Sequence, residues 1–197
     1  YVSPHLSGEF RNMASGWGRV NQQRDKGGFT FPMSTLVQVV KGNLIKKSAE
    51  IRRRMLQAID QLNDDQINWR YNSECNSIAN LVVHIRGNIH QRIEAGMLGK
   101  PDKRDREAEF DLGVWLTLQE AKQLIEESFN LLENTIHNLS DDDLLNQQTV
   151  RGKVVTVYDV LNQCIAHFSE HLGQVLYVAK MLLADKYVCT SIPKKCL

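Results

Sequence analysis

Apolar residues recur every three to four positions along four stretches of this chain, the period of an amphipathic helix. The first stretch, residues 34–62, carries Leu36, Val39, Val40, Leu44, Ile51, Met55, Ala58 and Leu62 on one side, with Ser34 placed to cap its start. The second, residues 77–98, carries Ile78, Leu81, Val82, Ile85, Ile89, Ile93 and Met97, and Gly99 and Pro101 end it. The third opens on Thr117-Leu118-Gln119-Glu120, a capping box, and runs to residue 139 on Leu124, Ile125, Phe129, Leu132 and Ile136. The fourth, residues 157–183, is the most apolar: Val157, Val160, Leu161, Cys164, Phe168, Leu172, Val175, Val178, Ala179 and Leu182 form its stripe, and Thr156 with Asp159 forms a capping pair.

Between these helices the pattern lapses. Residues 63–76 and the charged stretch 100–113 read as loops, 140–145 as one short helical turn, and 147–155 as a connection with a turn at Gly152. The only β-branched run, residues 154–157, is too short to predict a sheet. Four one-sided helices predict an all-α fold, a four-helix bundle around one shared core. Residues 1–32 hold glycines and serines without a period and read as an irregular extension. Met33 opens the helical pattern and is a candidate natural start, which would leave the upstream residues outside the native protein. The expected organisation is therefore extension 1–32, bundle 33–184 and polar tail 185–197.

Composition narrows the classes of function. The chain has 197 residues, enough for one domain, with a formal net charge of +1. That balance argues against a nucleic-acid partner, and the basic residues Lys46, Lys47, Arg52, Arg53 and Arg54 read as a solvated helix face. No apolar run reaches the ~18–20 residues that a membrane span needs. The four cysteines have no CxxC spacing, which points to a reducing, cytoplasmic setting.

The chemistry lies in the fourth helix. His167 and His171 are one turn apart, His171 within the apolar stripe and His167 at its edge. Residues four apart lie on one side of a helix, so both imidazoles can close on one metal ion. The same pair also fits two hydrogen-bonded core histidines. A third ligand would come from the second helix, and the pattern does not choose between His84 and His90. His5 and His137 read as surface residues. His167-Phe-Ser-Glu170-His171 also spells the inverted zincin pattern, in which Glu170 would act as general base. Asn88, Gln163, Glu170 and Gln174 are candidates to orient ligating imidazoles. Arg104, Arg106, Glu107 and Glu109 form a charge cluster with two readings: an ion-pair network that fixes the long connection, or a wall of the site that anchors an anionic substrate.

Two segments carry a resemblance. Ser77-Ile-Ala-Asn-Leu-Val-Val-His84-Ile-Arg-Gly-Asn88, followed far downstream by His167-Phe-Ser-Glu-His171-Leu-Gly173-Gln174, resembles the DinB-like superfamily. These four-helix-bundle proteins are related to YfiT-type metal-dependent hydrolases and to thiol-dependent S-transferases. The run Arg104-Asp-Arg106-Glu107-Ala-Glu109-Phe110 looks like the linker of one bacterial branch. The resemblance covers residues 33–183. It implies a divalent metal, zinc or nickel, on His84, His167 and His171, and so settles on His84 where periodicity does not. It also implies thiol transfer or hydrolysis on a small-molecule substrate, such as a low-molecular-weight thiol, and a homodimer by analogy. The other class of function is a non-catalytic, metal-stabilised bundle that dimerises or serves a stress response.

Overall fold

A computed structural model describes residues 33–150 and 152–192. The expectations about residues 1–32 and about the end of the tail, 193–197, lie outside them. Among the described residues are five α-helices, four of them long: α1 (Met33–Ile59), the short α2 (Asp64–Asn68), α3 (Ile78–Ile89), α4 (Leu118–Asn138) and α5 (Val157–Leu183). One hydrophobic cluster draws on every long helix. Met55 and Ile59 of α1, Ile85 and Ile89 of α3, Phe129 and Leu132 of α4, and Phe168 and Val175 of α5 are all fully buried in it. Phe129 and Phe168 meet edge to face with centroids 5.7 Å apart.

Local chemistry sets the helix starts. Ser77, Thr117 and Thr156 each cap a helix, and each exchanges bonds with the residue three positions on (Asn80, Glu120 and Asp159). Asn80 does more than close its box. Its amide nitrogen donates to the backbone oxygens of Glu109 (3.0 Å) and Asp111 (3.1 Å), which ties the long 100–113 connection to the start of α3.

Four expectations need correction. The fold is not purely helical. Residues 147–150 and 153–156 pair as an antiparallel hairpin, β1 (Gln147–Val150) with β2 (Lys153–Thr156), in the register Gln148 to Val155 and Thr149 to Val154. The turn rests on Gly152 at φ +76°, a backbone that glycine adopts without strain, and β-branched residues supply both arms. The second helix is not α-helical throughout: after Ile89 it widens into a π-helix, His90–Ala95, with the Gly96 amide bonding back five residues to Gln91. The first helix stops at Ile59, and Leu36 and Val39 are exposed, so its buried stripe begins at Leu44. The loop 63–76 contains α2, started by an Asn63–Gln66 capping box. Among the described residues, no helix is long and apolar enough to cross a membrane.

Candidate metal centre

Three imidazoles from two helices converge. His84 comes from the middle of α3 and is 6% exposed; His167 and His171 come from consecutive turns of α5. Their Nε2 atoms meet: His84 to His167 at 3.2 Å, and His171 to His167 at 2.8 Å. The His84 ring stands edge-on to both partners, with centroids 5.0 Å away in each case. One ligand atom from each of the three lies within 4.8 Å of the others, and no fourth His, Cys, Asp or Glu joins the group among the described residues. Nitrogens bound to one tetrahedral ion at about 2.0–2.1 Å stand about 3.3–3.4 Å apart, so this spacing fits a metal after a small expansion.

The far sides of the His84 and His171 rings fix their tautomers. Glu109 accepts bonds from Arg104 through both oxygens, Oε1 from Nε (2.7 Å) and Oε2 from Nη2 (2.9 Å), and Oε2 also accepts from His84 Nδ1 at 2.8 Å. Gln174 Oε1 accepts from His171 Nδ1 at 2.9 Å. With Nδ1–H held on His84 and His171, both Nε2 atoms carry lone pairs when the rings are neutral. A single N–H on His167 Nε2 satisfies one of them and leaves the other facing the cluster unpaired. A cation satisfies all three, and an Nδ1–H held by a carboxylate or an amide oxygen is the usual support for a ligating histidine. Burial favours the neutral rings: it lowers the His84 pKa against the pull of Glu109, and it pushes His167 down to about 4, helped by the neighbouring His171 and His84.

His90 stands apart. Its Nδ1 bonds Glu94 (2.9 Å) and its Nε2 accepts from the Lys103 amide (3.1 Å), so both ring nitrogens are engaged away from the cluster. His137 is exposed, and His5 lies outside the described residues. The other candidates are scattered. Asn88 is buried and accepts a long bond from the Cys164 thiol (3.9 Å), with no hydrogen bond to an imidazole. Gln163 and Glu170 are exposed and likewise have no hydrogen bond to the three rings, which leaves Glu170 without the contact a general base at this centre needs. Cys164 is fully buried, and burial pushes its thiol up to about 12, far from a thiolate.

Sequence reasoning places Glu109 in a charge cluster but does not pair it with His84. Glu109 is 4% exposed. The carboxylate fits because α3 has a glycine where it arrives: a Cβ on Gly87 would fall 1.8 Å from Glu109 Oε1. A glycine in a helix interior, three residues after a candidate ligand, was the available signal for such a close approach. Phe110 covers the His84 ring at 4.8 Å between centroids.

No curated protein matches the chain. A family model described as "Protein of unknown function (DUF1572)" matches residues 36–196, and the chain belongs to that family.

Proposed function

We propose that His84, His167 and His171 hold one divalent cation, zinc or nickel, and that the chain is a metal-dependent enzyme acting on a small molecule by thiol S-transfer or hydrolysis. The observation that carries this reading is the convergence of three Nε2 atoms with no fourth ligand among the described residues. Three ligands are the donor count of catalytic sites, whereas a non-catalytic, metal-stabilised module would close its site with four. The long helices around one core, together with this ligand order, support placing the family among DinB-like four-helix bundles.

A cation on three neutral imidazoles keeps its full charge and supplies Lewis acidity. The chain's own residues supply orientation. Glu109 holds the tautomer and tilt of His84, Arg104 anchors Glu109, Gln174 sets His171, and Phe110 keeps water from one face of His84. The buried Cys164 thiol stays protonated and is no candidate for covalent catalysis.

Crystals of the full chain measured above and below the zinc and nickel absorption edges test the site. One anomalous peak within bonding distance of the three Nε2 atoms is expected. No peak there after soaking with either metal, or a peak bound elsewhere, would count against it.

A further inference from the structure

Beside the histidine centre lies a cavity of about 500 Å³, lined in part by Gln91, Arg92, Arg104, Arg106, Gln148 and Thr149. That volume suits a metabolite-sized ligand. Arg104 joins the two places: it lines the cavity, and its Nη2 lies 3.4 Å from His84 Nδ1. We propose that this cavity is an oxyanion subsite, where Arg92, backed by Arg104 and Arg106, takes a carboxylate or phosphate group of the small-molecule substrate. That the anion belongs to a substrate rests on the metal-centre reading; the anion site itself does not.

The charges around the cavity are unequal. Arg104 is paired with Glu109, and Arg106 with Glu107 at 2.9 Å, with its guanidinium over the Phe110 ring at 5.0 Å. Among the described residues the one acid in the wall, Asp102, already accepts from Gln91 Nε2 (2.9 Å) and the Arg104 amide (3.0 Å). Arg92 is half-buried and has neither an ion pair nor a side-chain hydrogen bond among the described residues. It also lines an adjoining cavity with Lys153 of β2 and with Asp159, whose carboxylate accepts from the Thr156 amide (2.9 Å) and hydroxyl (2.7 Å) at the start of α5. A half-buried guanidinium without a counter-ion is costly, and a bound oxyanion offsets that cost through a two-pronged contact.

Two further features point the same way. Among the described residues, the amide of Gln148 has neither its nitrogen nor its oxygen bonded, although both are shielded from solvent. A polar ligand in the cavity beside it gives that amide partners after a rotamer change. The wall that carries Gln91, Arg92 and Ala95 is the π-helix itself. A π-turn forgoes regular α-helical bonding, and such turns are frequent where a helix forms part of a site.

Isothermal titration of the full chain with inorganic phosphate and with succinate, metal-free and zinc-loaded, tests the proposal. The wild type is expected to bind at least one of the two anions without metal. Arg92→Ala should weaken that binding about tenfold or more, the scale of a lost charged hydrogen-bonded contact, and Arg92→Lys by less. Arg53→Ala, an exposed charge on α1, should leave it unchanged. Preference for phosphate assigns the group to a phosphoryl compound, and preference for succinate to a carboxylate. Absence of binding to the metal-free chain, equal binding by wild type and Arg92→Ala, or binding that appears only with zinc and ignores Arg92, overturns the subsite. Failure of zinc to bind would sink the metal centre but leave the metal-free titrations intact as a separate result.

Discussion

A methyl group on Gly87 would collide with Glu109 Oε1 and lie 2.7 Å from its Cδ, so the helix and the carboxylate were fitted to each other. Gly87→Ala should gain helix propensity and still lose stability, by about 1–3 kcal/mol, because the carboxylate must leave a buried place. Chemical denaturation measures the balance; a variant as stable as the wild type would mean that Glu109 has an equally good alternative position. Glu109→Gln keeps the shape but weakens the hold on Arg104 and on His84 Nδ1. Loss of such a support lowers metal affinity by about 10–100-fold, which competition with a chromophoric chelator will register. Unchanged affinity would reduce Glu109 to a structural ion pair. His167 and His171 were legible in the sequence because helical spacing alone brings them together. His84 was legible only through the resemblance, since its meeting with them depends on how α3 packs against α5, and periodicity does not encode that. Glu109 was hidden for a similar reason: it lies 25 positions from His84 and arrives on an irregular connection.

At the level of elements, capping explains most of what the sequence made readable. Ser77, Thr117 and Thr156 mark helix starts through bonds only three residues long, so local sequence suffices. The hairpin escaped because its arms are only four residues each; the Val157 amide, bonded to the Asn146 oxygen at 2.8 Å, extends the ladder by one rung where β2 runs into α5. The π-helix escaped because its apolar period differs little from that of an α-helix. Glu94 lies within it and accepts from Lys100 (2.8 Å), His90 (2.9 Å) and Arg86 (2.8 Å), which together tie the helix end to both flanks. These partners, Lys100 foremost, hold the Glu94 carboxyl down to about 2. Its contribution to stability is therefore present above the ordinary carboxylate range and is lost as pH falls from about 4.5 toward 2. Glu94→Gln should be less stable than wild type at pH 7, and the gap should close across that acid window. Melting curves recorded against pH check this; a gap independent of pH would mean that packing rather than charge ties the segment down.

For the molecule as a whole, the question is whether the metal builds the fold or merely occupies it. The apolar core draws on all four long helices, with Phe129, Phe168, Met55 and Ile59 fully buried, and none of these is a ligand of the centre. This differs from small zinc domains, whose folding depends on the ion. The chelated chain should keep its helical circular dichroism, and zinc at about a thousand times its Kd should add about 4 kcal/mol, or roughly 8–16 °C in Tm for a chain of this size. Unfolding on chelation would recast the centre as structural. The helical core was legible at this scale because burial follows from periodicity; the cavity beside the histidines was not, because it forms between the π-helix, the hairpin and the 100–113 connection. The central claim meets its most direct test in elemental analysis of protein purified without a metal-affinity tag, comparing wild type with His84→Ala, His171→Ala and His90→Ala. About one equivalent of divalent metal is expected in the wild type and in His90→Ala, and far less in the other two. A wild type well below one equivalent that zinc or nickel does not replenish, or equal loss in His90→Ala and His84→Ala, would contradict the account.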